Sequence, residues 1–237
     1  MKKLLLLALS IVLLIGMTGC MEVKPKQEVD IKAEVEKYLK DKYNENFNVT
    51  GGGTESWNAT DMEIYARSER FPDYKIMIRR GMKTGGMIDS YTGFLMKDEI
   101  DKIMTELITP IYPKSKVWYY APLAPSAGTY PDMGVENYLE HESKYSFITL
   151  TICVSDPEYR TNKDEKAEEL RKRFEEKKYK GAFDIFYMLD GKLEIINEDK
   201  KGDLYDSYTA KSWHSMKGSL HMNRSYQYRY IDWEETK

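Results

Sequence analysis

Over 237 residues the chain carries two cysteines, three histidines and no apolar run longer than Leu4 to Ile15. Each shortage closes a class of explanation. Two cysteines cannot build a disulfide framework. An apolar stretch of twelve residues is too short to cross a hydrocarbon layer, which takes ~20 residues as a helix. His214 and His221 lie seven apart with no intervening Glu motif, and His141 stands alone, so none is spaced as a zinc-binding helix pair and all three read as surface histidines. Neither charge sign dominates: 36 Lys and Arg stand against 39 Asp and Glu, interspersed throughout. That mildly acidic balance argues against nucleic acid or a polyanionic polymer as the partner. Gly51, Gly52 and Gly53 are not followed by a Lys-Ser/Thr pair, so they read as a strand connection or bulge rather than a phosphate loop. Ser212 to Ser215 and Ser143-Lys144 do not fit the serine nucleophile signatures. No carboxylate spacing singles out a glycosidase pair. No catalytic residue, metal site or cofactor is therefore predicted.

What is present starts at the first residue. Lys2 and Lys3 precede the uncharged run Leu4 to Ile15, the layout of an export signal. The following Met17, Thr18, Gly19, Cys20 resembles the lipobox of bacterial lipoproteins, with Met17 where that family usually has leucine. The resemblance covers residues 1–20 and implies a signal peptide over 1–19, cleavage before Cys20, and a diacylglyceryl group (a palmitate-type lipid anchor) on the Cys20 thiol. The mature chain is then expected on the extracytoplasmic face of the cell membrane, with residues 20–29 as a polar tether of up to ~3.5 Å per residue. Without Lys2 and Lys3 the balance is 34 basic to 39 acidic residues, a net charge of −5. Cys153 then has no partner, and its β-branched surroundings, Phe147 to Val154, make it a small hydrophobe in a buried strand.

The periodicity of the rest predicts an α+β fold with antiparallel sheets and amphipathic helices packed on one face, in two small lobes. Residues 30–121 form the first. Ile31, Val35, Tyr38, Leu39 and Tyr43 trace one helix face, with Asp30 as its cap. Met62–Ala66 and Tyr74–Arg79 alternate as a hairpin, Met87–Phe94 reads as an irregular strand, and Lys97–Ile108 as a second helix. This order is similar to cystatin-like or PepSY-like units of exported bacterial proteins. Lys116–Ala121 is a short aromatic strand, and the Pro/Gly-rich stretch 122–134 is the expected boundary. Residues 135–237 form the second lobe: a short helix, the strand Tyr145–Ser155, a charged helix Lys163–Lys178, a strand Ala182–Leu189 and a returning strand Lys192–Asn197, resembling half of a ferredoxin-like fold. Asp89-Ser90-Tyr91-Thr92 recurs as Asp206-Ser207-Tyr208-Thr209, which raises a divergent duplication.

The aromatic content, 19 Tyr and 4 Trp, is the most distinctive feature of the composition. Trp118 and Tyr119 precede the Pro/Gly stretch, and Tyr226, Tyr228 and Tyr230 alternate so as to share one strand face. Such faces can stack sugar rings or hold a peptide edge, although packing a sheet on its helices is the plainer role. The functional expectation is a lipid-anchored binding or interaction protein, held to the membrane by its N-terminal diacylglyceryl cysteine, with an unknown protein or glycan ligand. A cell-envelope hydrolase with a dispersed site and a structural or immunity-type surface protein are the alternatives. A pocket joining His214 or Cys153 to a carboxylate would favour the first, a broad apolar patch the second.

Overall fold

The computed structural model describes residues 27–54, 58–121, 133–155 and 159–236, with the side chains of 27–30 left out. The expected signal, Cys20, the tether before Gln27 and the stretch 122–132 lie outside the described residues. The fold is α+β, built on two sheets.

Helix α1 (Gln27–Tyr43) begins three residues before Asp30, so it takes in the last residues of the expected tether. Val35, Leu39 and Tyr43, four residues apart, are its buried face. They close over the antiparallel sheet β1 (Phe47–Gly53), β2 (Asp61–Ser68), β3 (Ile76–Gly81) and β4 (Met87–Asp89), which pair in chain order. Strict alternation turns Ile64, Ala66, Ile76 and Ile78 toward α1 and leaves Tyr65 and Met77 on the other face. Full burial of one such isoleucine contributes about 1.5–3 kcal/mol.

The irregular strand expected over Met87–Phe94 stops at Asp89. Its carboxylate accepts the N–H of Tyr91 at 2.9 Å, an Asx turn that ends β4 and starts the short helix α2 (Tyr91–Leu95).

Helix α3 (Lys97–Ile108) and strand β5 (Ser115–Tyr120) were expected to complete the first unit, but both belong with the second sheet. Ile100, Met104 and Ile108 pack in one core with Val117 and Tyr119, and Asp101 Oδ1 accepts the N–H of Tyr119 at 2.6 Å. That sheet runs β5, β6 (Ile148–Ser155), β7 (Gly181–Met188), β8 (His214–Met222), β9 (Tyr228–Glu235). The Pro/Gly stretch therefore connects two neighbouring strands of one sheet by way of helix α4 (Val135–Tyr145). The sheet is mixed: β6 and β7 are parallel, as the crossover through α5 (Lys163–Glu176) requires, and the other pairs are antiparallel.

Helices do not keep to one face of this sheet. Leu150, Ile152, Phe183 and Ile185 share a core with Leu170 and Phe174 of α5. On the opposite face Cys153, Phe186 and Met188 lie under Ile196, Leu204 and Trp213. These belong to the segment 192–213, where Lys192–Ile195 is a helical turn, α6, instead of the returning strand expected over Lys192–Asn197. Strand β7 already has β6 on one side and β8 on the other, so it offers no edge for a strand to return to.

The two Asp-Ser-Tyr-Thr runs make the same turn, since Asp206 Oδ1 accepts the N–H groups of Tyr208 and Thr209 at 2.8 and 3.1 Å. Their places differ. The first follows β4 and the second lies between β7 and β8. Local turn chemistry accounts for the recurrence, and the two runs do not support a duplication.

A candidate binding cleft between the two sheets

The outer face of the first sheet meets α2, α3 and the end of β5 around a cleft of about 420 Å³. Alternation in β2 and β3 aims Tyr65 and Met77 into it, because their neighbours Ile64, Ala66, Ile76 and Ile78 are committed to the α1 core. Tyr74, on the turn before β3, packs its ring against Phe94 of α2 at 5.2 Å between centroids. Phe94 touches both cores. Tyr120, the last residue of β5, adds an aromatic side chain that is 58% exposed. Ser90 Oγ accepts the N–H of Met77 at 3.0 Å and ties the cleft wall to the turn after β4.

Charges complete the lining. Lys97, at the first turn of α3, is paired with Asp101 one turn on and lies 3.6 Å from Glu198. Burial opposes its charge, but those two carboxylates outweigh it and hold the ammonium above the usual lysine range. Glu198 also accepts Lys201 at 2.7 Å. The phenol of Tyr74 is pushed up by burial and then by the Glu198 carboxylate. On the outer lip, Lys75 Nζ sits 3.5 Å from the centroid of the Tyr65 ring, a cation–π contact. Asp73 lies two residues away and also lines the cleft. The chemistry on offer is aromatic and apolar contact with charges of both signs at the rim and floor, within the ~300–1,000 Å³ typical of small-molecule sites.

Of the aromatic residues singled out in the sequence, Tyr119 lines the cleft from the end of β5 while Trp118, Tyr226, Tyr228 and Tyr230 lie elsewhere, so the set does not form one surface. Tyr119 is 1% exposed, with its hydroxyl 3.1 Å from that of Tyr138. Trp118 points to the other side of β5 and packs with the Cys153 and Phe186 cluster. Tyr226 sits in the turn before β9 at φ 56°, its hydroxyl donating to Lys178 O at 3.4 Å. Tyr228 donates to Ala167 O of α5 at 2.7 Å, while Tyr230, 49% exposed, donates to Asp232 at 2.9 Å. The single face expected for Tyr226, Tyr228 and Tyr230 is broken by a β-bulge. Met222 pairs with Tyr228 and His221 with Tyr230, so Arg229 is extra and the side-chain parity flips.

Among the described residues neither named hydrolase candidate is hydrogen-bonded to a carboxylate. His214 is buried, with Nε2 3.1 Å from Leu204 O and Nδ1 2.9 Å from the Thr236 hydroxyl. Cys153 is fully buried, and burial pushes its thiol far above the usual range. His221 is exposed as expected of a surface histidine, and His141 is partly buried. Among the described residues no group of three His, Cys, Asp or Glu is placed to hold a metal ion, and no helix is long and apolar enough to cross a membrane.

Apart from Tyr119, the cleft residues escaped the sequence reading because they are scattered from Tyr65 to Lys201. The signals available were the outward parity of Tyr65 in β2 and the adjacency of Tyr120 to Trp118 and Tyr119.

No family model matches the chain, and no curated protein does. Among solved structures the chain is similar to a DUF5037 family protein from Ruminococcus gnavus, with 14% identity over 84% of this chain and 94% of that one and a TM-score of 0.40.

Proposed function

We propose that the mature chain is a lipid-anchored protein on the extracytoplasmic face of the cell membrane, and that it binds a small ligand in the cleft between its sheets. The binding role is carried by one observation: aromatic side chains from β2, α2 and β5 converge with charged groups on a cavity of small-molecule size. The location is supported by Lys2, Lys3, the apolar run and Cys20. A lipid anchor leaves a water-soluble body beside the bilayer without a spanning helix, each buried methylene contributing ~0.8 kcal/mol.

Two arms test the reading. Fractionation of cells expressing the native chain and Cys20→Ala should place the first with membranes and release the second; retention of the variant on membranes contradicts lipid anchoring. Titration of a ring-bearing fragment library, followed by amide NMR, should give shifts clustered at Tyr65, Tyr74, Phe94 and Tyr120 and lost in Tyr120→Ser. Shifts clustered elsewhere, or unaffected by that substitution, contradict the cleft as the site.

A further inference from the structure

The geometry points to a zwitterionic ligand with an apolar side chain, an amino acid or its close analogue, as the occupant of the cleft; this rests on the binding role proposed above. Charge balance in the cleft singles out this class of ligand. Lys97 is held by Asp101 and Glu198, and Lys201 by Glu198, so the cations and carboxylates at the cleft floor neutralise one another. Two lining charges remain: Lys75 and Asp73, neither in an ion pair with a described residue. They flank Tyr74 on the same lip, one of each sign.

An isolated anion would satisfy Lys75 and be repelled by Asp73; an isolated cation would meet the reverse. A molecule carrying an ammonium and a carboxylate on one carbon satisfies both. The contact of Lys75 with the Tyr65 ring holds the ammonium at the lip and orients it. Behind the lip, the tilted Tyr74 and Phe94 rings and the half-open Tyr120 give an apolar or aromatic side chain its contact surface. The site therefore sorts ligands twice, by paired charge at the mouth and by an apolar body within.

Three ring compounds differing only in charge test this on the full-length chain, solubilised from membranes in detergent: L-phenylalanine, 3-phenylpropionate and phenethylamine, titrated by calorimetry. Phenylalanine should bind more tightly than either single-charge compound by about three- to fivefold, the size of one exposed charge contact. Lys75→Gln should reduce phenylalanine to the level of phenethylamine, and Asp73→Asn to that of 3-phenylpropionate. Both positions are exposed on a turn, and circular dichroism checks that the variants fold. Equal binding of all three, weakened together by Tyr120→Ser, overturns the zwitterion assignment and leaves the binding role standing. No binding of any of the three overturns the assignment, and the fragment titration then decides the binding role on its own.

Discussion

The ammonium of Lys42 lies 2.8 Å from the carboxylate of Asp89, an ion pair with side-chain exposures of 10% and 0%. Asp89 also accepts the hydroxyls of Tyr38 at 2.7 Å and Tyr43 at 2.6 Å, and the N–H of Tyr91. One carboxylate thus pins α1 to the end of β4 and starts α2. Burial and then the Asp89 charge hold both phenols well above their usual range, so they stay protonated donors.

Removing that carboxylate leaves a nearly buried ammonium without its counter-charge and leaves Tyr38 and Tyr43 only Met87 O and Thr92 Oγ1 to turn to. Asp89→Ala should destabilise the chain by about 3–5 kcal/mol, the cost of breaking one side of a buried pair. Lys42→Met should cost less, because Asp89 keeps three hydrogen-bond donors. Urea unfolding checks both, and equal losses would contradict the assignment of Asp89 as the hub.

Glu142 on α4 is fully buried, and neither of its oxygens has a hydrogen-bond partner among the described residues. Burial pushes its pKa from 4.5 up to about 8. A folded-state pKa raised above the unfolded one makes the contribution to stability complete below about pH 4.5 and progressively lost as pH rises to about 8. At about 1.4 kcal/mol per unit the loss amounts to several kcal/mol. Glu142→Gln should match the native chain near pH 4 and exceed it in stability at pH 9. Parallel stability curves for the two proteins across that range would contradict the buried neutral acid.

Much of this was legible in the sequence, and the reasons for the misses are physical. Spacing located α1, α3 and α5, because Val35/Leu39, Ile100/Met104 and Ala167/Leu170/Phe174 each mark a buried face. Alternation located the β2–β3 hairpin. Strand partnership was not legible: nothing local says that β5 pairs with β6, and a proline-rich stretch looks the same between sheets or between strands of one sheet. Lys192–Asn197 was misread because its pattern fits a strand while its neighbourhood leaves no edge. The Tyr226–Tyr230 alternation was real, but one extra residue, Arg229, reverses which side each ring faces.

Gly218 of β8 stands opposite Trp233 of β9, and a Cβ there would lie 2.1 Å from the indole ring. Trp233 also donates its Nε1–H to Asp164 of α5 at 2.9 Å. Gly218→Ala must displace the ring and should cost about 1–3 kcal/mol by overpacking, with faster amide exchange along β9. Unchanged exchange there would show that the edge strand does not depend on this contact.

Cys153 should resist iodoacetamide in the folded chain at pH 8, since its thiol is fully buried and its ionisation strongly disfavoured. Reaction should follow urea unfolding. Rapid labelling of folded protein would contradict its place beneath Ile196, Leu204 and Trp213.

The mass of the intact chain extracted from membranes measures what the mature protein begins with, on which its anchoring depends. The prediction is a chain starting at Cys20 and carrying a diacylglyceryl group on its thiol. A membrane-free chain of 237 residues, or one beginning elsewhere with an unmodified terminus, would contradict it.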